Sequence, residues 1–533
     1  MENISVIIIL LFVIAFLWLL SKRFNFPFPI VLVLFGILIS LIPGLPTLKI
    51  SPDVIFFLFL PPLLYQAAWN TSWHDFRTAI RPISLAAIGL VLFTTVAVAI
   101  VAHYLIPSFG WPVAFLLGAI ISPPDVVSAT AVTKGLGLHP GLLTILEGES
   151  LINDASALIA YRYALAAITT AGFAWWQAGL NFIYVAAVGI AVGLAVAFIM
   201  RIIHEKFSCD AVVDVTLTFL TPYTSYLIAE HFQASGVLAV VTTGLYLSFR
   251  SNKLFSHEGR IMTDAIWEVA MFVLNGMIFI LIGLQLRTVS DGLGAYSKTS
   301  LILYGISISV LVILIRFVWI LPSMIWPDRV GRSIYGDRGY ERKNLIVFGW
   351  SGMRGIVSMA AAMALPLSFA GSQLFPHRNL LIFLTFCVIL TTLVLLGLTL
   401  PWLIRLMKLE PYSVVAQEYE VRTKIVASAI NKIEESYSLL PDEILSNLKS
   451  KYEVKYNRLQ KTALPSNYFG QGKTLTSQVF NQYTKVQLDL LEVERESVQQ
   501  MHLSGSASES ILKKIERELD VEEMRLRMEM YES

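Results

Sequence analysis

Over the first 406 residues, apolar stretches of roughly twenty residues alternate with short polar loops, and that is the length an α-helix needs to cross a bilayer. Thirteen stretches are distinguishable, at 4–20, 27–43, 52–69, 84–106, 111–133, 141–168, 181–203, 212–231, 235–249, 264–286, 298–325, 343–366 and 379–406. Beyond them the pattern changes. Apolar residues recur every three or four positions through Val415 to Leu439, Ile444 to Leu459 and Ile511 to Met530, the period of helices with one wet face. Pro441, Pro465 and Gly470-Gln471-Gly472 divide this region. The pattern predicts an all-α polytopic membrane domain of about thirteen transmembrane helices at 1–406. A helical cytoplasmic tail follows at 407–533, read as a capping or dimerising bundle or as a regulatory sensor.

Composition sharpens the division. Hydrophobic residues make up 56% of the 533 and charged residues only 15%, with a mean hydropathy of +0.66, which excludes an ordinary soluble enzyme. Residues 1–406 hold 23 Lys/Arg and 18 Asp/Glu, whereas the much shorter 407–533 holds 17 and 20. The net charge of +2 leaves no basic footprint for nucleic acid. Two cysteines, Cys209 and Cys387, make neither a disulfide framework nor a thiolate metal site. His103, His139, His231 and His257 form no metal-binding spacing. No nucleophile constellation or cofactor fingerprint is present, so no enzyme chemistry and no cofactor are expected.

The first stretch lacks a cleavage site and is followed by Lys22-Arg23, so it reads as a retained span. Odd-numbered loops carry most of the basic residues, among them Arg77, Arg81, Lys134, Arg201, Lys206, Arg250, Arg260, Arg329, Arg332, Arg338 and Lys343. The positive-inside rule then puts the amino terminus outside and the tail in the cytoplasm. The short loops suit a bacterial inner membrane.

A charge at mid-membrane costs at least about 2.5–3.5 kcal/mol on insertion scales, so the charges that persist there are functional candidates. The fifth stretch carries Pro123-Pro124-Asp125. Two consecutive prolines remove two backbone donors, so the helix should break there and present backbone groups to a cavity beside Asp125. The sixth stretch reads Glu147-Gly148-Glu149-Ser150-Leu151-Ile152-Asn153-Asp154. On a helix Glu147, Ser150 and Asp154 share a face, while Glu149 lies about 140° from Asp154. Asp154 and Ser150, with Asn153 beside them, offer the oxygen ligands that hard cations such as Na+ prefer. Glu149 points elsewhere and is read as half of a structural ion pair. Its candidate partners, Arg316 and Arg354, both lie within spans and are read as architectural. Glu147 and Gln66 are weaker candidates for lining the ion path.

Arg354 sits in Gly349-Trp350-Ser351-Gly352-Met353-Arg354-Gly355, where glycines favour unwinding much as the prolines do in the fifth span. The two interrupted spans are the fifth members of two six-span units, 1 to 6 and 8 to 13, whose odd offset inverts one relative to the other. Paired broken helices in inverted repeats point to a secondary transporter with its site near the midplane.

Together these stretches resemble the sodium/proton exchanger branch of the monovalent cation:proton antiporters. The resemblance covers the whole membrane part in order and spacing, and its specific element is Asn153-Asp154 after Gly148-Glu149-Ser150. It implies thirteen helices, crossed broken helices, a homodimer with a dimerisation unit packed against a moving core, and exchange of sodium or potassium for protons. The family's ion-binding aspartate falls on Asp154, its helper serine on Ser150 and its unwound-helix aspartate on Asp125. Its glutamate falls on Glu149, with Arg316 as the first choice of partner and Arg354 the second. Two departures bear on ion preference. Pro124 precedes Asp125 and Val126 follows it, so a threonine ligand is absent, and Gln66 stands where many members carry an acid.

A single dry carboxylate can be neutralised by a proton or by a cation, and the two exclude each other, so exchange follows. The expected function is antiport of Na+, with Li+ or K+ as further substrates, against H+. One-for-one electroneutral exchange by alternating access at Asp154 would serve sodium export and pH homeostasis. The alternatives are a K+/H+ antiporter of the same fold, an ion channel, and a non-transporting membrane sensor that signals through the tail.

Overall fold

The structure is a computed structural model. It describes residues 2–24, 26–42, 52–107, 109–125, 138, 140–169, 175–207, 210–291, 293, 296–326, 342–366, 368–369, 373–375, 377–407, 414–437, 442–460 and 477–532. Several features named above lie outside them: the second half of the broken fifth span with Val126, Lys134, His139, Cys209, Arg329, Arg332 and Arg338, and the tail breaks at Pro441, Pro465 and 470–472.

Among the described residues the regular secondary structure is helical apart from one antiparallel pair, β1 (Ser368–Phe369) with β2 (Gln373–Leu374). The membrane part opens with α1 (Glu2–Phe24), α2 (Phe28–Ser40) and α3 (Pro52–Asn70). After α4 (Trp73–Thr78), α5 (Ile80–Ser84) runs through a π-helical turn at Leu85–Leu90 into α6 (Val91–Leu105). Next come α7 (Trp111–Ile121), α8 (Pro140–Thr169), α9 (Trp175–Phe207), α10 (Ala211–His231), α11 (Gly236–Leu254), α12 (His257–Asp291) and α13 (Lys298–Ile325). The interrupted pair α14 (Arg342–Trp350) and α15 (Ile356–Met363) follows. Then α16 (Arg378–Thr391) continues through a second π-helical turn into α17 (Gly397–Leu406).

Seven helices among the described residues are long and apolar enough to cross a membrane, including α13 and the combined α16–α17 rod. The segments that miss that standard include the ones the sequence marks as special. α8 carries Glu147, Glu149, Asp154 and Arg162, and two other segments are cut short by breaks. A helix that holds charge or loses its continuity at membrane depth needs protein around it rather than lipid. Accordingly α7 is buried over most of its length, from Val113 to Ile121.

The same dipeptide has two fates. Pro61-Pro62 sits inside a continuous α3, whereas α7 ends immediately before Ser122-Pro123-Pro124. Removing two donors does not by itself decide between a kink and a break, because tertiary partners must take up the freed carbonyls. α7 is held by close backbone contact. A Cβ on Gly118 would lie 2.3 Å from the Thr95 carbonyl oxygen on α6, so only glycine lets these helices touch at that point.

The chain divides into two compact units. The larger comprises Met1–Ser208, Val215–Ser251 and Ala265–Pro411. The smaller joins Tyr412–Ser533 to Cys209–Asp214 and Asn252–Asp264. It contains α18 (Val414–Ser436), α19 (Asp442–Gln460), α20 (Ser477–Ser504) and α21 (Glu509–Glu532). Three of these match the periodic stretches read from sequence, and α20 is an addition. Two apolar clusters hold the bundle. One is built on Ile425, Leu491, Val498 and Ile515, the other on Val426, Ile433, Leu448 and Leu490. A buried charge network completes it. Asp520 accepts from Arg260 Nε at 2.9 Å and Arg495 Nη2 at 2.9 Å, and Arg495 also pairs with Glu523 at 2.9 Å. The tail therefore shares a packed unit with the chain segment that begins α12.

Candidate functional site

The two breaks satisfy each other. α7 ends at Ile121 and α14 at Trp350, and non-helical residues follow each. Pro123 and Pro124 have no N–H to place, and the Asp125 N–H donates to the Met353 carbonyl at 2.7 Å. In return Arg354 reaches back, its Nε donating to the Ile121 carbonyl at 3.2 Å and its Nη1 to the Gly352 carbonyl. The Arg354 N–H is taken by Thr392 Oγ1 at 3.0 Å. Asn153 Nδ2 on α8 donates to the Pro124 carbonyl at 2.8 Å. These bonds occupy backbone groups that would otherwise each cost several kcal/mol in an apolar interior (roughly 2–7).

The residues alone left Arg316 and Arg354 open as partners of Glu149, and the family resemblance put Arg316 first. In the structure Arg316 Nη1 and Nη2 donate to the two Glu149 carboxylate oxygens at 2.8 and 2.7 Å, a bidentate pair. Arg316 Nε donates to the Phe348 carbonyl at 2.9 Å, and the guanidinium lies 4.3 Å over the Phe348 ring. Both partners are buried, Glu149 at 0% and Arg316 at 1% exposure. This pair ties α8 and α13 to the end of α14. Arg354 does not pair with Glu149 and instead bonds carbonyls at the breaks.

With Glu149 directed to Arg316, the other side of α8 faces a cavity of about 50 Å³. Asp125, Ser150, Asp154 and Ser358 line it, together with Pro123, Pro124 and Gly355 from the breaks and Leu63, Leu64 and Ala67 of α3. The sequence candidates Asp154, Asp125 and Ser150 thus meet in one place. Asn153 touches the break rather than the cavity wall, and its Oδ1 has no hydrogen-bond partner among the described residues. Glu147 is half-buried and does not line the cavity. Gln66 precedes the wall residue Ala67, and its Oε1 is buried without a hydrogen-bond partner among the described residues. Ser358 at the start of α15 is a wall residue that the sequence reading passed over.

Gly355 decides how closely the breaks approach. A Cβ there would lie 1.9 Å from Asp125 Oδ2, a distance no atom pair tolerates. Gly355→Ala should therefore push Asp125 out of place and slow exchange at least about tenfold, with the protein still folded, the scale of loss an ångström-sized misplacement brings. Cation-dependent proton flux in vesicles measures this, and an unchanged rate would contradict it.

A second cavity of about 330 Å³ lies further along α8, lined by Ala155, Leu158, Tyr161 and Arg162 with Tyr226 and Glu230 of α10. Arg162 Nη2 bonds both Glu230 oxygens, at 2.7 and 2.9 Å, across its edge. The two cavities share no lining residue among the described residues.

The interrupted pair α14–α15, hydrogen-bonded at its break to the non-helical residues that end α7 and with carboxylates gathered beside it, has the geometry of a secondary transporter site. Comparison with known proteins agrees. The family described as "Sodium/hydrogen exchanger, transmembrane" matches residues 7–406. The chain is 31% identical over 478 residues to the sodium, potassium, lithium and rubidium/H(+) antiporter of Bacillus pumilus, across 86% of this chain and 70% of that protein. It is 32% identical to the Bacillus subtilis antiporter of the same description, where it spans 61% of that protein's length. The low-affinity Na(+)/H(+) antiporter NhaS1 of Synechocystis is 28% identical over 91% of this chain and 89% of its own. Among solved structures, the sodium proton antiporter MjNhaP1 of Methanocaldococcus jannaschii shares the fold, with a TM-score of 0.57 at 20% identity over 77% of this chain and all of that one. The chain belongs to the sodium/hydrogen exchanger family, and it is a multi-pass membrane transporter rather than an enzyme.

Proposed function

We propose that this protein exchanges Na+ for protons across the cell membrane, with Li+ and K+ as further substrates, one cation for one proton, by alternating access at Asp154. The observation that carries the reading is the convergence of Asp154, Asp125 and Ser150 on one small cavity where the end of α7 meets the break between α14 and α15. Asp154 is 6% exposed, so its negative charge needs either a proton or a cation beside it. Ser150, one helical turn earlier, adds a neutral oxygen ligand. If Asp154 is the only group that titrates in the cycle, each cation leaves as one proton binds. Empty, charged Asp154 resists crossing, and this prevents leak. The names of the Bacillus relatives, which include potassium, lithium and rubidium, support a broad monovalent preference.

In this reading the amino terminus is outside, the 407–533 tail is cytoplasmic with a regulatory or dimerising role, and the protein is a homodimer. The test is proton movement in sealed proteoliposomes with an imposed pH gradient. Added Na+ should collapse the gradient at a rate unchanged by clamping the membrane voltage. A rate that follows voltage would overturn one-for-one exchange. Passive cation flux without counter-transport of protons would favour a channel, and no flux at all a sensor.

A further inference from the structure

Several buried hydroxyls on helices of this membrane domain share a partner that Ser358 lacks. Thr95, Ser309, Thr385 and Thr392 each donate to the carbonyl four residues back, at 2.8, 2.7, 2.8 and 2.8 Å. That bond is how a lone hydroxyl is satisfied inside an apolar helix. Ser358 has no such bond. It is the third residue of α15, so the residue four back is Arg354, which lies in the break rather than in a helical turn. Its Oγ is buried without a hydrogen-bond partner among the described residues, its side chain is 2% exposed, and it lines the cavity that holds Asp154, Asp125 and Ser150. The break that creates the cavity thus also frees this hydroxyl.

We propose that Ser358 Oγ is a ligand of the transported cation, a specificity-determining group supplied by α15 to the cavity that Ser150 and Asp154 of α8 also line. The assignment deepens the carrier reading and rests on it. A hard monovalent ion that leaves water needs several oxygens around it. A buried hydroxyl with no protein acceptor is a desolvated group that gains a partner when the ion arrives. The smaller the ion, the closer the oxygen and the stronger the attraction, so the ligand matters more for Li+ and Na+ than for K+. The two halves of the fold would then both hold the ion, and filling the site would couple α15 to α8.

The test compares Ser358→Ala and Ser358→Thr with the normal protein in proteoliposomes, with Li+, Na+ and K+ in turn, alongside cation-induced thermal stabilisation of the purified protein. Ser358→Ala should raise the half-saturating Na+ and Li+ concentrations about tenfold, the effect of one lost bond to a charged group, with a smaller change for K+ and little change in maximal rate. It should lose much of the Na+-induced rise in Tm without becoming less stable in the absence of cation, since no protein bond is removed. Ser358→Thr keeps the hydroxyl and should stay within about threefold of normal, an effect smaller than that of a lost bond. Equal half-saturation in Ser358→Ala and normal protein for all three ions, or a fall in maximal rate alone, would overturn the assignment. If the normal protein shows neither cation-dependent proton movement nor cation-induced stabilisation, the carrier reading itself fails and this ligand with it.

Discussion

Asp154→Asn should remove cation-dependent proton movement down to the level of protein-free vesicles while leaving a folded and equally stable protein. The substitution keeps the shape of the side chain and deletes the charge, and the neutral amide cannot trade a proton for a cation. Asp154 is buried in a cavity of about 50 Å³ and no described arginine or lysine lines that cavity with it, so no ion pair is lost. A buried carboxylate without a cationic neighbour is a burden on stability, and its neutralisation should leave Tm unchanged or raise it. The combination of full inactivity with undiminished stability separates a carrier residue from a structural one. A variant that lost activity because it unfolded would show both losses together, and a variant with substantial residual exchange would move the carrier role to Asp125.

The opposite pattern is expected one turn away on the same helix. Glu149 and Arg316 form a bidentate pair at 2.8 and 2.7 Å with almost no solvent contact. Arg316→Met leaves Glu149 buried and uncompensated, and removing one member of such a pair costs about 3–5 kcal/mol. The variant should show a sharply lower Tm in detergent and poor recovery from membranes. Glu149→Gln alone should be nearly as damaging, because the Arg316 charge is then unpaired. Combining Glu149→Gln with Arg316→Met should recover most of the lost stability, since replacing both charges removes the desolvation penalty along with the attraction. Exchange should recover less completely. Arg316 Nε also holds the Phe348 carbonyl near the end of α14, so the approach to the second break is loosened even when the charges are gone. Additive losses in the double variant, measured as a thermal-unfolding cycle, would contradict the pairing.

Much of this site was legible because helical angle is fixed by spacing. The 140° or so between Glu149 and Asp154 assigns them to different surroundings on sequence grounds alone, and the structure has Glu149 on Arg316 and Asp154 on the cavity. The choice between Arg316 and Arg354 was not legible in the spacing of the residues, and only the family resemblance put Arg316 first. Both lie in apolar surroundings, and what separates them is that Arg354 is consumed by the Ile121 and Gly352 carbonyls, groups that become acceptors only once the two breaks meet. Ser358 was passed over for a related reason. A serine in an apolar stretch is ordinarily satisfied by its own helix, and only the position of the break relative to α15 removes that bond. The Pro-Pro pairs carry the same lesson, since identical dipeptides leave α3 continuous and end α7. In the tail, α20 has apolar positions at Val486, Leu490, Leu491 and Val498 that fit a helix, but its long polar intervals hid the stripe until partner helices covered it.

The central claim is that a cation and a proton compete for Asp154. The most direct measurement is proton release from purified protein in weakly buffered detergent solution when Na+ is added at a pH where the site is protonated. One proton should be released for each chain that binds Na+, and Asp154→Asn should release none. Sodium binding without proton release, or equal release by Asp154→Asn, would contradict competition at this carboxylate.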